Sequence, residues 1–159
     1  MNMKLFIVVL TTIFVLTLST ATGSAQTITL NNDLVFGSVF PGIPKTITKY
    51  SIGSAAEFHV AGTSGAEISI QFALPTYMHA SGFNIEMIFF NTDCSIDTLA
   101  SPSQTSPLFD NLNPWTTLIY RLGSAGLTIW LGGTAIPKVV QPPGAYTATI
   151  VLTVAYTGA

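Results

Sequence analysis

The chain has 159 residues, of which 48% are hydrophobic and only 8% charged, with a formal net charge of −2. So few Lys and Arg side chains exclude a protein that grips nucleic acid by neutralising phosphates, since that requires clustered cations. The 11% aromatic content supplies enough surface to bury that an intrinsically disordered chain is excluded as well.

Lys4 carries the only early positive side chain, and Leu5–Leu18 is an apolar run broken only by Thr11, Thr12 and Thr17. A run of about 14 residues falls short of the roughly 20 that a membrane-spanning helix needs. Small residues follow, with Gly23 and Ala25 placed for cleavage before Gln26. Residues 1–25 therefore read as a secretory signal peptide. The alternative, an uncleaved anchor, lacks the stop-transfer pattern or basic cluster that would follow it. No Cys lies near the cut, which argues against a lipid anchor. Residues 26–159 then form one exported domain with no membrane span, destined for the extracellular space or the cell surface. Its single thiol, Cys94, has no partner within the monomer, so the fold relies on an apolar core. Cys94 reads as a small buried hydrophobe, with crosslinking between chains the other option.

Beyond the leader, apolar residues recur with period 2, the spacing of a β-strand. Ile28, Leu30, Leu34 and Phe36 share one parity across the polar break Asn31–Asp33, as one strand or two. Phe58 and Val60 face one way and Glu57, His59 and Ala61 the other. Gly62–Gly65 then turns the chain into Ile68, Ile70, Phe72 and Leu74, predicting a hairpin. Phe83, Ile85, Met87 and Phe89 predict another strand. Ser101–Pro114, rich in Ser, Pro and Asn, predicts a surface loop. Trp115–Tyr120 and Leu127–Leu131, joined by a turn containing Gly123 and Gly126, predict a second hairpin. Pro142, Pro143 and Gly144 mark the start of the last and clearest strand, Ala145–Tyr156. Its stripe is Tyr146, Ala148, Ile150, Leu152, Val154 and Tyr156. Roughly seven to nine strands and no helix imply an all-β, antiparallel sandwich, with a closed barrel as the lesser option.

Reactive chemistry is sparse. His59, His79, Cys94 and the scattered acids show no zinc-ligand spacing, so no metal site is expected. Asn91, Asp93 and Asp97 offer oxygens but not the ordered acidic loop of a calcium site. No G-x-S-x-G turn is present, and Glu57, Glu67 and Glu86 read as outward, solubilising charges. Neither a cofactor nor a catalytic activity is expected. Trp115, Trp130 and Tyr120 could form a platform for a surface glycan, although sheet-face packing is the commoner use of such residues.

Three blocks carry a resemblance. LVFGSVFPG (Leu34–Gly42), AAEFHVAGTSGAEISI (Ala55–Ile70) and LGGTAIPKVVQPPGAYTATIVLTVAY (Leu131–Tyr156) together resemble the domain of unknown function 4402 family of small exported bacterial proteins. The similarity spans nearly all of residues 26–159 except Tyr77–Leu112, from which nothing carries over. The ending Gly144, Tyr146, Thr147 is similar, more distantly, to spore coat protein U and the archaic chaperone-usher pilins. The resemblance implies an immunoglobulin-like, pilin-like sandwich in which a neighbour's terminal strand completes the fold.

The expected function is therefore a structural subunit of an extracellular filament or surface layer, partnered by copies of itself or related subunits through strand addition. Tyr146, Ala148, Ile150, Leu152, Val154 and Tyr156 are the expected receiving edge, because Ala145–Tyr156 carries none of the charges or prolines that normally protect one. Ile28, Leu30, Leu34 and Phe36 are the expected donors. The alternative is a monomeric secreted module that binds a glycan or surface through exposed aromatics.

Overall fold

A computed structural model describes residues 26–158; the expected signal peptide, 1–25, lies outside the described residues. Twelve strands run in chain order. They are β1 (Thr27–Asn32), β2 (Lys45–Ile47), β3 (Ala56–Ala61), β4 (Glu67–Ala73), β5 (Tyr77–Ala80) and β6 (Phe83–Ile88). The second half contributes β7 (Cys94–Asp97), β8 (Phe109–Leu112), β9 (Leu118–Arg121), β10 (Leu127–Leu131), β11 (Gly133–Ile136) and β12 (Val151–Tyr156). Among the described residues there is no helix, and therefore none long and apolar enough to cross a membrane.

All ladders are antiparallel and form three sheets, ordered β1-β3-β10-β7-β8, β2-β11-β6-β5 and β12-β4-β9. The second and third sheets are continuous through one interrupted strand. Val151 pairs with Ala73 of β4 and Thr147 with His79 of β5, a register offset of only two residues, so β4 and β5 lie along the same side of the final segment. Pro75 sits in the interruption, where a missing N–H breaks the ladder. A second long strand turns a corner at Gly132, passing from β10 in the first sheet to β11 in the second. Gly132 donates its N–H to the Asp93 carbonyl at 2.9 Å, and a Cβ there would lie 2.6 Å from the Ile47 carbonyl oxygen. Only glycine permits that approach.

The all-β sandwich inferred from period-2 patterning is the observed architecture. Phe58, Val60, Ile96, Ile129 and Leu131 of the first sheet meet Ile68, Ile70, Met78, Ile85 and Met87 of the other two in one buried cluster. Each such side chain contributes about 1.5–3 kcal/mol on burial, so the cluster alone accounts for a stable core without a disulfide.

The pairing departs from the sequence expectations in several places. Neither expected hairpin forms. β3 pairs with β1 and β10, whereas β4 pairs with β12 and β9, so Gly62–Gly65 carries the chain across the core from one layer to the other. Phe58 and Phe72 consequently meet edge to face, with ring centroids 6.1 Å apart, rather than lying side by side. The same holds at Gly123–Gly126, whose tight reversal (N···O 3.0 and 3.1 Å) joins β9 of the third sheet to β10 of the first. Turn residues specify that the chain reverses, and burial decides what it then pairs with. The Ser101–Pro114 stretch contains β8, which pairs with β7. The final strand begins only at Val151, with Thr147 as an isolated bridge before it. Ile28–Phe36 is one strand that ends at Asn32, followed by an irregular run.

Candidate functional site

The final segment is an edge. β12 stands last in its sheet, paired with β4 alone. Its alternation puts Leu152, Val154 and Tyr156 opposite Phe72, Ile70 and Ile68, on the core side. Leu152 and Val154 are half-buried there, and Tyr156 is more exposed. The Tyr156 hydroxyl accepts the Thr63 N–H at 2.9 Å, which ties the strand end to the turn after β3. Upstream, Thr147 exchanges both backbone hydrogen bonds with His79 (2.8 and 3.1 Å). In an extended chain the neighbouring residues point their N–H and C=O groups the other way. Tyr146 and Ala148 accordingly turn theirs away from β5, and among the described residues they find no backbone partner.

Beside this edge runs a groove. A cavity of about 690 Å³ lies between Leu34–Pro41 and Gln141–Tyr146, over Met78 and Ile85. A second, of about 280 Å³, continues along Tyr146, Ala148 and Ile150. Local sequence explains why the groove is not closed by pairing. Pro142 and Pro143 have no N–H to donate, while Gly37, Pro41, Gly42 and Pro44 break the opposite wall. Tyr146 stiffens the near wall: its hydroxyl donates to the Pro142 carbonyl at 2.8 Å and accepts from Gln141 Nε2 at 2.6 Å. The opposite wall makes one backbone bond of its own in Leu34–Val39, from the Val35 N–H to Ser54 at 2.8 Å.

The four donor candidates separate into two pairs. Phe36 is buried in this chain's own core and Leu34 packs against it, so both are walls of the groove. Ile28 and Leu30 lie on β1, the terminal strand of the first sheet. They stand opposite Val60 and Phe58, on the inner face, yet remain 41% and 53% exposed. Two of the strands that end the sheets are thus suited to apolar contacts, β1 bearing uncovered apolar side chains and the final segment lying beside an apolar groove.

The aromatic platform does not come together. Trp130 is buried, with its indole N–H donating to Glu57 Oε2 at 3.0 Å. Tyr120 is half-buried against Phe109, ring centroids 4.6 Å apart. Trp115 is exposed but held by its indole N–H on the Phe89 carbonyl at 2.8 Å.

Several of the ionisable groups weighed for chemistry have structural partners. Asp93 accepts the Phe90 N–H at 2.7 Å, and Asp97 accepts those of Leu99 and Ser103 at 2.8 and 3.2 Å. The two acids are thus loop caps. His59 Nδ1 lies 3.2 Å from Thr128 Oγ1. Cys94 is fully buried, and desolvation pushes its thiol from the ordinary 9.0 up to about 12, well away from thiolate chemistry. Among the described residues no three His, Cys, Asp or Glu side chains converge as a metal site would require.

One cluster was not legible in the sequence. Lys49 is buried and places its ammonium 2.8 Å from Asp110 Oδ1, donating also to the Thr92 carbonyl (2.6 Å) and Asn111 Oδ1 (2.9 Å). The Tyr50 hydroxyl donates to Asp110 Oδ2. Burial alone would raise the Asp110 carboxyl, but the hydrogen bonds from Lys49 and Tyr50 outweigh it and hold it below its ordinary value. The cluster fastens the loop after β2 to β8. Four charged or polar side chains, Lys49 and Tyr50 with Asp110 and Asn111 some sixty positions on, have no common sequence signal.

No protein-family model and no curated protein matches this sequence.

Proposed function

We propose that this chain is a non-catalytic structural subunit, exported through residues 1–25, that builds an extracellular filament or cell-surface layer by β-strand addition between copies of itself or related subunits. The observation that carries this reading is the unprotected edge of the final segment, Ala145–Tyr156, which has no charge and no proline and lies beside an apolar groove. An added strand gains main-chain hydrogen bonds from such an edge and register from the groove.

The donor under this reading is a neighbour's β1, through Ile28 and Leu30, since Leu34 and Phe36 are already seated in their own core. Joining β1 of one molecule to the final segment of the next is a heterologous contact, which propagates unless its rotation closes a ring. A net charge of only −2 offers little repulsion to stacking copies. The resemblance to the domain of unknown function 4402 family and to archaic pilins points the same way.

Negative-stain electron microscopy and sedimentation velocity of the purified protein test this directly. Regular fibres or sheets are the expected result. A species that stays monomeric up to millimolar concentration, alone and with related exported subunits, overturns the proposal.

A further inference from the structure

Two turns meet beyond the end of the β2–β11 pair. In Phe40–Ile43 the Ile43 N–H donates to the Phe40 carbonyl at 3.1 Å, with Pro41 second and Gly42 third at φ 71°. That is a type II turn with its preferred residues. In Lys138–Gln141 the Gln141 N–H donates to the Lys138 carbonyl at 3.0 Å, and the same carbonyl accepts the Gly42 N–H at 3.0 Å. The two turns thus form one rigid tip.

Its composition runs against turn chemistry. Val139 and Val140 occupy the central positions of the second turn, where Gly, Asn, Asp and Pro are preferred. They are 81% and 85% exposed, and Phe40 and Ile43 are 66% and 61% exposed. None of the four belongs to the core. Burial within the chain does not explain them, and a cluster of this kind marks a surface that meets something else.

The backbone and the charge say what kind of surface. Pro41, Pro44, Pro137 and Pro142 have no N–H, and those of Gly42, Ile43, Lys138 and Gln141 are already bonded, the third to Gln141 Oε1 at 3.1 Å. The amides of Phe40, Val139 and Val140 have no backbone partner among the described residues, so the tip's backbone suits the hydrated headgroup level, with only its side chains reaching the apolar phase, where unbonded amides are costly. Of the four cationic side chains described, Lys49 pairs with Asp110 and Arg121 with Glu67. Lys45 and Lys138, in no ion pair, both stand at the base of the tip, on the Ser38 carbonyl (3.1 Å) and Asn84 Oδ1 (3.3 Å). No acid occurs in Leu34–Ala56 or after Asp110; Glu86, opposite Ile136 in the ladder, is the acid nearest along the pairing.

We propose that this tip docks on an anionic bilayer surface. Phe40, Ile43, Val139 and Val140 enter the boundary between headgroups and acyl chains, and Lys45 and Lys138 lie at the level of the lipid phosphates. The tip borders the groove proposed for strand addition and shares Pro41 and Gln141 with it, but the four side chains assigned to the bilayer are not among those lining the groove.

The test is flotation of the purified protein with phosphatidylcholine vesicles, with and without about 30% phosphatidylglycerol. Binding is expected to the anionic vesicles and to weaken with salt. Val139→Ser/Val140→Ser lowers that binding at least about tenfold, and Lys45→Gln/Lys138→Gln removes the preference for phosphatidylglycerol. Val140→Ser alone gives a smaller loss in the same direction. All the replaced side chains except Lys45 are largely exposed, so thermal melts should match that of the parent, and residues 1–25 are common to every protein compared. Equal flotation of parent and valine variants overturns the proposal. So does a parent that fails to float while the valine variant loses self-association in lipid-free solution, which would make the tip a contact between copies.

Discussion

Leu30 stands directly opposite Phe58 in the β1–β3 ladder, so both side chains leave the sheet on its inner face, yet Phe58 is buried and Leu30 is more than half exposed. The rim of the sandwich passes between them. A carboxylate at position 30 keeps its water in the monomer but must lose it to enter a neighbour's apolar groove, at a cost of several kcal/mol. Leu30→Asp is expected to change folding stability by less than about 1 kcal/mol while lowering the assembled fraction at least about tenfold. Sedimentation velocity and a thermal melt on the same sample check both halves. A folded variant that assembles like the parent removes β1 from the contact.

The two bonds between Thr147 and His79 (2.8 and 3.1 Å) make adjacent residues respond differently to proline. Ala148→Pro deletes an N–H that has no backbone partner within the described residues and sets a pyrrolidine ring on the free edge. It should cost below about 1 kcal/mol and block assembly. Thr147→Pro breaks a bonded pair and should cost about 1–3 kcal/mol. Urea denaturation of the two variants gives the comparison, and equal losses would contradict the orientation of the edge.

What the sequence revealed and what it hid follow from range. The alternation of Ala56–Ala61 and of Leu152–Val154 is a local property, and it correctly separated core faces from outer faces. Partner choice is not local. β3 and β4 are close in sequence and both amphipathic, so they read as a hairpin, but each pairs with strands distant in sequence and the two face each other across the core, where Phe58 meets Phe72. β7 was hidden for a different reason. All four of its residues, Cys94–Asp97, are buried on both faces, which erases the alternation that would have marked it. The free edge of Ala145–Tyr156 was legible as an absence of charge, whereas the groove beside it depends on Leu34–Pro41 lying across from Gln141–Tyr146, a separation of about a hundred residues.

Gly132 carries the strand around the corner between two sheets, where a Cβ would stand 2.6 Å from the Ile47 carbonyl oxygen and 2.7 Å from the Lys49 nitrogen. Both are backbone atoms in paired or buried chain, so neither can swing aside. Gly132→Ala is expected to cost about 3 kcal/mol or more, read as a lower urea midpoint with an unchanged slope. A loss under about 1 kcal/mol would mean that the corner can open without disturbing β2.

Lys49 and Asp110 form a partly buried pair whose two halves differ in exposure, 5% against 33% for the side chains. Removing the ammonium leaves the Thr92 carbonyl and Asn111 Oδ1 without their donor, so Lys49→Met should cost about 3 kcal/mol. Asp110→Asn leaves the buried ammonium without its counter-charge, so it should cost about as much, about 3 kcal/mol. Denaturation curves for both variants check this, and a loss under about 1 kcal/mol from Asp110→Asn would show that the Thr92 and Asn111 acceptors suffice to hold the ammonium.

At high pH the controlling group is Cys94. Burial raises its thiol from the ordinary 9.0 to about 12 in the folded chain. The unfolded chain therefore releases this proton first. The stability linked to it is fully present below about pH 9 and is lost as pH rises toward 12. Tyr50 adds to the decline above its ordinary 10.0, being raised to about 12 chiefly by its hydrogen bond to Asp110, then by burial. Urea midpoints measured between about pH 8 and 11 should fall steadily. In Cys94→Ala the fall should begin about one pH unit later, because only the tyrosine contribution remains. The same burial predicts that a thiol reagent labels native Cys94 only as fast as the protein opens, so labelling and unfolding rates should rise together with urea. Rapid labelling of the folded protein at neutral pH would place Cys94 outside the core and remove the basis for the alkaline prediction.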